Sequence, residues 1–138
     1  MILYSTEHKS PNVSLEEAIF RGLPPDNGLY MPTDIKPLPA SFFETIQDRS
    51  LPEIAIAVCE NLLGDSLSSD EIKKIIDQSM TFEAPIVSLE PGVEVLELFH
   101  GPSMAFKDFG ARFMAAIMSH YLVKSKREIR ILVATSGD

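Results

Sequence analysis

One lysine stands at the start of the longest apolar helix that the sequence predicts. Lys107 comes five residues after the turn Gly101-Pro102 and is flanked by Phe106 and Phe109. A helix N-terminus disfavours an ammonium group, and apolar neighbours disfavour it further by partial desolvation. An amine kept neutral in this way is a nucleophile for a carbonyl group, as a Schiff-base lysine requires. The alternative is an ordinary surface lysine in a first helical turn, and the residues alone leave both interpretations open.

A second candidate site lies at the end of the sequence, after the apolar run 129–134. Thr135, Ser136 and Gly137 offer hydroxyl groups and backbone N–H groups that can hold an anion, such as a carboxylate or a phosphate. Turns of this composition are common, so the pattern by itself is a weak indication of a site.

Other residues with chemical potential have simpler interpretations. His100 is able to act as an acid or base, but a histidine hydrogen-bonded to the loop backbone is the favoured interpretation. Arg112 lies one helical turn after Asp108, and an exposed ion pair accounts for both residues. Cys59 is expected to be a small buried hydrophobic residue rather than a reactive thiol. The sequence shows no metal-ligand spacing, no G-x-G-x-x-G motif and no P-loop.

The first 83 residues are predicted to form a mainly helical N-terminal region. Residues 2–4 are a candidate short edge strand, and the proline-rich stretch 22–39 is expected to be an ordered loop. Apolar residues at helical spacing give the helices that begin after residues 50 and 68 one apolar face each. Four S-x-x-E segments match the capping box that starts a helix, and they begin at Ser14, Ser41, Ser50 and Ser68.

From residue 84 the pattern changes to that of an α/β unit. Two predicted strands, 86–89 and 93–98, flank the turn Glu90-Pro91-Gly92. A helix from near residue 104 to near residue 123 follows, and its apolar face is wide enough that we expect it to be largely buried. The run 129–134 is typical of a strand that is buried on both faces.

These elements predict an α/β fold in which a capped-helix region, residues 1–83, precedes the start of a second domain, residues 84–138. Residues 93–134 are predicted to form a βαβ unit of a parallel sheet, incomplete at the C-terminus. Ligands of such sheets bind at the carboxyl ends of the strands. Lys107 and residues 135–138 each follow a predicted strand, so we expect them at the same edge of the sheet.

Composition narrows the classes of partner and compartment. The 138 residues are 45% hydrophobic and 23% charged, with a formal net charge of −8. This charge disfavours nucleic acid and anionic membrane surfaces as partners. The single cysteine cannot form an internal disulfide, and the first ten residues do not match a signal peptide, so a cytoplasmic location is expected. No stretch is apolar enough to predict a membrane span.

The segment around Lys107 closely resembles the lysine motif of the threonine synthases. The matching run is Glu97 to Gly110, ELFHGPSMAFKDFG, and residues 112–114 and the terminal ATSGD fit the same family. Residues 13–14 and 28–32 are similar to its opening segment. The resemblance implies a lyase of the tryptophan-synthase-β fold class that uses pyridoxal phosphate in threonine biosynthesis. The implied reaction converts O-phospho-L-homoserine and water into L-threonine and phosphate.

The resemblance also implies a role for each candidate residue. Lys107 would hold the cofactor as a Schiff base and, once displaced by substrate, move protons as base and acid. Thr135, Ser136 and Gly137 would receive the substrate carboxylate. Asp138 stands where many relatives of the fold class carry an asparagine near the oxygen of the pyridine ring, and it is a candidate cofactor-binding residue.

The chain ends early for this family, so we expect an N-terminal fragment. The glycine-rich cradle for the cofactor phosphate and the residues that contact the pyridine nitrogen would lie beyond Asp138. A fragment of this kind is expected to carry the lysine without turning over substrate, and an exposed final strand is expected to favour self-association. The alternatives are an amino-acid dehydratase of the same fold class and a non-catalytic interaction module.

Overall fold

A computed structural model describes residues 1–125 and 128–132 of the chain. The architecture is mixed, with helices and two small antiparallel sheets. The elements in chain order are β1 (Ile2–Ser5), β2 (Val13–Ser14), α1 (Leu15–Arg21), β3 (Tyr30–Pro32), α2 (Ala40–Glu44), a 3-10 turn (Ile46–Asp48), α3 (Leu51–Leu63), α4 (Ser69–Ser79), β4 (Ile86–Glu90), β5 (Val93–Leu96) and α5 (Lys107–Ser125).

The first sheet has three strands in the order β2-β1-β3. The expectation that residues 2–4 form an edge strand is therefore wrong, because the loop after α1 returns and adds β3 to the free side of β1. Leu3 lies opposite both Val13 and Pro32. Gly28 allows this return, since a Cβ atom there would lie only 3.0 Å from the backbone nitrogen of Glu7. The loop 22–39 is thus ordered around β3, although Leu29 remains exposed.

Three of the four predicted helix starts are capped by serine. The Glu53 carboxylate accepts a hydrogen bond from the Ser50 backbone N–H at 2.7 Å, and both halves of the capping box are present at Ser50 and at Ser68. Ser14 accepts a hydrogen bond from the backbone N–H of Glu17 at 3.2 Å. The prediction for Ser41 is wrong, because α2 begins one residue earlier and Pro39 occupies its N-cap position.

The core lies where α4 and α5 pack together, with α1 and β1 beside them. The isoleucines that gave α4 its predicted apolar face are almost completely buried, with Ile76 at 0% exposure. Helix α5 contributes Ala116, Ile117 and Tyr121 to the same cluster. Cys59 on α3 packs against this cluster, and burial raises the pKa of its thiol to about 11, which agrees with the expected unreactive cysteine.

Helix α5 is only half-buried, so the expectation of a largely buried crossover helix is wrong. Its inward face joins the core, but Met114 and Val123 are exposed, because among the described residues no sheet covers the outward face. Ala116, Ile117 and Tyr121 are its buried apolar residues.

The hairpin of β4 and β5 is the second sheet, and its two strands pair antiparallel. The predicted parallel sheet is not formed by the residues that the structure describes, since 128–132 carry no strand and Leu132 is 95% exposed. Residues 133 and 134 of the predicted strand lie outside the described ranges. Within the described part of the chain, we find no helix that meets the length and apolarity needed to span a membrane.

Candidate functional site

The loop between β5 and α5 determines where Lys107 lies. A turn in which the backbone N–H of Met104 donates to the carbonyl of Gly101 at 3.0 Å folds the chain back after β5. Met104 adopts a left-handed conformation, with φ of 58°, which is uncommon for a residue with a side chain. The N–H of Asp108 donates to the carbonyl of Ala105 at 3.0 Å, and this bond starts the first turn of α5. Lys107 is the first residue of that helix.

Asp108 is the buried polar residue of this segment, with 9% exposure. Its carboxylate accepts hydrogen bonds from the Ser103 backbone N–H at 2.8 Å and from the Ser103 hydroxyl at 2.7 Å. The Ser103 hydroxyl holds the pKa of the Asp108 carboxyl below its usual range. Gly101 packs directly on this side chain, since a Cβ atom at position 101 would lie 2.7 Å from Cβ of Asp108. The loop and the helix start therefore form one connected unit.

Lys107 itself is exposed. The expected desolvation by flanking phenylalanines is wrong, because Phe106 is 65% exposed and Phe109 packs edge-on against Phe82 at a ring distance of 4.7 Å. Within residues 1–125 and 128–132, the Lys107 amine makes no ion pair and no hydrogen bond. The site thus offers an accessible primary amine without a paired carboxylate in the described part of the chain.

His100 is bound differently from the expectation. Its Nε2 lies 2.7 Å from Oε2 of Glu97, so a carboxylate rather than the loop backbone is its partner. Its ring stacks on Phe99 with a centroid distance of 4.6 Å. The i to i+3 spacing of Glu97 and His100 was available in the sequence, but the segment is not helical, so helical spacing rules gave no reason to connect them.

Arg112 was also assigned the wrong partner. The predicted ion pair with Asp108 does not form: that carboxylate accepts from Ser103, and the Arg112 charge acts on it only from a distance. Arg112 instead donates to the carbonyl oxygens of Ser79 and Gln78, each at 3.2 Å, and to the hydroxyl of Thr81 at 3.1 Å. Carbonyls at a helix C-terminus attract cations, so Arg112 closes the end of α4 and ties α5 to it.

The remaining predicted site residues, Thr135, Ser136, Gly137 and Asp138, lie outside the described residues. Their predicted position at the same sheet edge as Lys107 therefore stays a prediction. Among the described residues, no group of three or more His, Cys, Asp or Glu side chains is placed to hold a metal ion.

The most spacious of the described cavities does not include Lys107. This cavity of about 490 Å³ lies between the start of α3 and the segment that leaves α4, and apolar residues such as Leu51, Met80 and Phe82 contribute most of its lining. Glu83 is its one titratable lining residue among those described. The lining of this cavity therefore does not connect Lys107 with a second titratable group.

Comparisons with known proteins match the chain to one family. The family described as "Threonine synthase N terminus" matches residues 3–80. A threonine synthase of Schizosaccharomyces pombe is 39% identical over 97% of this chain and 29% of its own length. A threonine synthase of Escherichia coli is 32% identical over the whole chain and 32% of its own length. The chain thus spans about a third of the length of these relatives.

Solved structures give the same match in three dimensions. A threonine synthase of Brucella melitensis with bound pyridoxal phosphate superposes with a TM-score of 0.83 and 29% identity, over 91% of this chain and 28% of the other. The Escherichia coli threonine synthase superposes with a TM-score of 0.81 and 31% identity, over 87% of this chain and 28% of the other.

Proposed function

Because the chain belongs to the threonine synthase family, we propose that Lys107 is the cofactor-binding lysine of a pyridoxal-phosphate enzyme. The proposed reaction of the whole enzyme is the conversion of O-phospho-L-homoserine and water into L-threonine and phosphate. The observation that carries the proposal is the accessible, unpaired amine of Lys107 at the first residue of α5. The likeness to a solved threonine synthase with bound pyridoxal phosphate supports it.

The residues of the site fit an aldehyde cofactor. A Schiff base requires a primary amine that solvent and ligand can reach, and the Lys107 amine meets this requirement without a competing carboxylate among the described residues. Pyridoxal phosphate, when bound, supplies an electron sink for carbanions, and the protein supplies binding and orientation.

The chain's own residues contribute attachment and proton transfer. The Nζ atom of Lys107 would hold the cofactor and then accept and return a proton on the substrate, since its amine is unpaired in the described ranges. The hydrogen-bonded loop before α5 positions this first residue of the helix. We propose that Thr135, Ser136 and Gly137 bind the substrate carboxylate and that Asp138 lies near the oxygen substituent on the pyridine ring of the cofactor.

The arrangement around these residues is also part of the proposal. We propose that residues 129–134 form a strand parallel to β5 and that residues 84–138 open the cofactor-binding α/β domain after a helical region at 1–83. We also propose a cytoplasmic location, which the single cysteine supports because it cannot form an internal disulfide. The net charge of −8 argues against nucleic acid or membrane as partner, and the exposed apolar hairpin supports self-association.

The test is to trap the lysine chemically. The full 138-residue chain is incubated with pyridoxal phosphate, reduced with borohydride and mapped by mass spectrometry, with absorbance recorded before reduction. We expect the label at Lys107 in preference to the other lysines and its loss in Lys107→Ala. Lys36→Ala is the matched control, because it removes another lysine and should leave the label in place.

Two outcomes would contradict the proposal. Labelling that is spread equally over all lysines would remove Lys107 from its assigned role. We expect these 138 residues to attach the cofactor without turning over substrate, because they contain no glycine-rich phosphate motif. Phosphate release from phosphohomoserine by the isolated chain would contradict that expectation.

A further inference from the structure

We propose that Gly101, Ser103 and Asp108 form a loop lock that fixes the backbone from which the Lys107 side chain extends. The three residues act through Lys107 and are positioning residues. The inference rests on the proposed function, because it concerns the orientation of the group that Lys107 would hold.

The lock begins with the two hydrogen bonds between Ser103 and Asp108. One residue of the loop occupies both carboxylate oxygens, with the backbone N–H on Oδ2 at 2.8 Å and the hydroxyl on Oδ1 at 2.7 Å. Bonds to an ionised acceptor are the stronger kind, and two of them from one residue define an orientation as well as a distance. They close a ring of chain that contains Lys107.

Gly101 holds the other side of the same carboxylate. It is buried, and a side chain at this position would meet Cβ of Asp108 at 2.7 Å and Cγ at 2.9 Å. Distances this short are not tolerated between non-bonded carbon atoms, so the backbone of residue 101 must be free of a Cβ for Asp108 to reach Ser103. The glycine thus completes the lock by steric fit rather than by a hydrogen bond.

The lock has a second effect on the amine. The Asp108 carboxylate accepts from Ser103, and since successive residues of a helix do not face each other, Lys107 stays unpaired among the described residues. A buried carboxylate in the first turn also favours the helix start through the helix dipole. The backbone on both sides of Lys107 is therefore fixed while its side chain remains accessible.

The test compares three variants of the lock with a matched control. Ser103→Ala, Asp108→Ala and Gly101→Ala each break one part, and Ser103→Thr retains the hydroxyl. Asp70→Ala is the control, because Asp70 is the second residue of α4 as Asp108 is of α5, so both substitutions remove a carboxylate from the same helical position. Far-UV circular dichroism selects the variants that keep the fold.

The decisive measurement is the circular dichroism induced in the bound pyridoxyl chromophore, per chromophore attached at Lys107. A chromophore held in one orientation gives an induced circular dichroism signal. A chromophore that is free to reorient still absorbs light but gives no such signal. We expect the signal in the wild type, Ser103→Thr and Asp70→Ala, and its loss in the three lock variants, which still carry the label.

The two proposals fail in different ways. An unchanged signal per chromophore in Ser103→Ala and Asp108→Ala would overturn the lock while leaving the role of Lys107 intact. Absence of label at Lys107 in the wild type would overturn the proposed function and, with it, the positioning role of the lock.

Discussion

The helical core and the β4–β5 hairpin contain the same kinds of apolar residue in opposite surroundings. In the core, Ile72 and Ile76 are at most 1% exposed, whereas Ile86 and Leu89 of the hairpin are 69% and 72% exposed. Both strands of the hairpin are exposed along their whole length. The core is therefore assembled by the described residues themselves, and the hairpin is not covered by them.

The difference shows what an apolar pattern does and does not encode. The apolar face of α4 packs against α5, so the isoleucines of α4 are removed from water. In the hairpin, each strand pairs only with the other among the described residues, and two strands alone are of marginal stability. Residue type selects what can be buried, and the neighbouring element decides whether it is.

The largest effect on stability is expected from shortening a side chain in the core. Ile76→Ala should lower the free energy of unfolding by about 2–5 kcal/mol, because it leaves a cavity at a fully buried position, and Ile76→Val by about 0.5–1.5 kcal/mol. Ile86→Ala in the hairpin should change it by less than about 0.5 kcal/mol. Urea denaturation of the three variants checks this. Equal losses at positions 76 and 86 would mean that the two regions do not differ in stability as their burial indicates.

An intermediate effect is expected at Arg112, which joins α5 to the C-terminal end of α4. Arg112→Ala should cost about 1–3 kcal/mol, because the carbonyls of Gln78 and Ser79 lose a charged donor at the end of α4. Arg130→Ala is the control, since Arg130 is exposed and makes no hydrogen bond within the described residues. Thermal unfolding measures both, and an identical midpoint for the two variants would refute the tie between α4 and α5.

The smallest effect is expected from pH, through Glu71 on the surface of the core. The Lys124 ammonium and the Ser68 backbone N–H lower the pKa of this carboxyl from 4.5 to about 2. A carboxyl whose pKa is lower in the folded state stabilises the fold above pH 4.5, and this contribution is lost as the pH falls towards 2. Glu71→Gln should therefore be less sensitive to acid than the wild type in urea denaturation between these values.

His120 lies beside Glu71, with Nε2 3.5 Å from Oε1 of the carboxylate, and the Glu71 charge acts on the pKa of His120. Burial lowers the pKa of His120 from 6.5. The contribution of neutral His120 to the free energy of unfolding is therefore lost at a higher pH than the contribution of Glu71. The difference between the wild type and Glu71→Gln therefore reports the carboxyl together with its effect on His120. Lys124→Met should reduce the same acid sensitivity, whereas Lys36→Met should retain it. An unaltered response in both Glu71→Gln and Lys124→Met would show that this contact does not contribute.

Helices were predictable from the sequence because their signals are local. Ser50 and Ser68 cap the helices that follow them, with the glutamate three residues later closing the box. Ser41 has the same pattern but fails, since Pro39 already supplies an extended N-cap and Phe42 N–H bonds to its carbonyl. A capping pattern thus identifies a helix start only where no earlier residue takes that position.

The site was only partly predictable, because its contacts join residues through a non-helical loop. The sequence placed Lys107 at the start of a helix, and the structure confirms that position, whereas its role as a site residue stays a proposal. The bond from Ser103 to Asp108 and the pair of Glu97 with His100 depend on a loop shape that residue spacing does not encode. Arg112 found carbonyl partners more than thirty residues away, which no local pattern indicates.

Helix α5 carries Lys107 at its first residue and Tyr121 in the core, so binding of a ligand at Lys107 would be thermodynamically linked to folding. Its 19 residues span roughly 28 Å at the rise of an α-helix. A ligand that binds only the folded state at the N-terminal end of this helix raises the free energy of unfolding of the whole helix. The increase grows with ligand concentration. A ligand bound at Lys107 would therefore raise the unfolding temperature of a core whose residues lie further along the same helix.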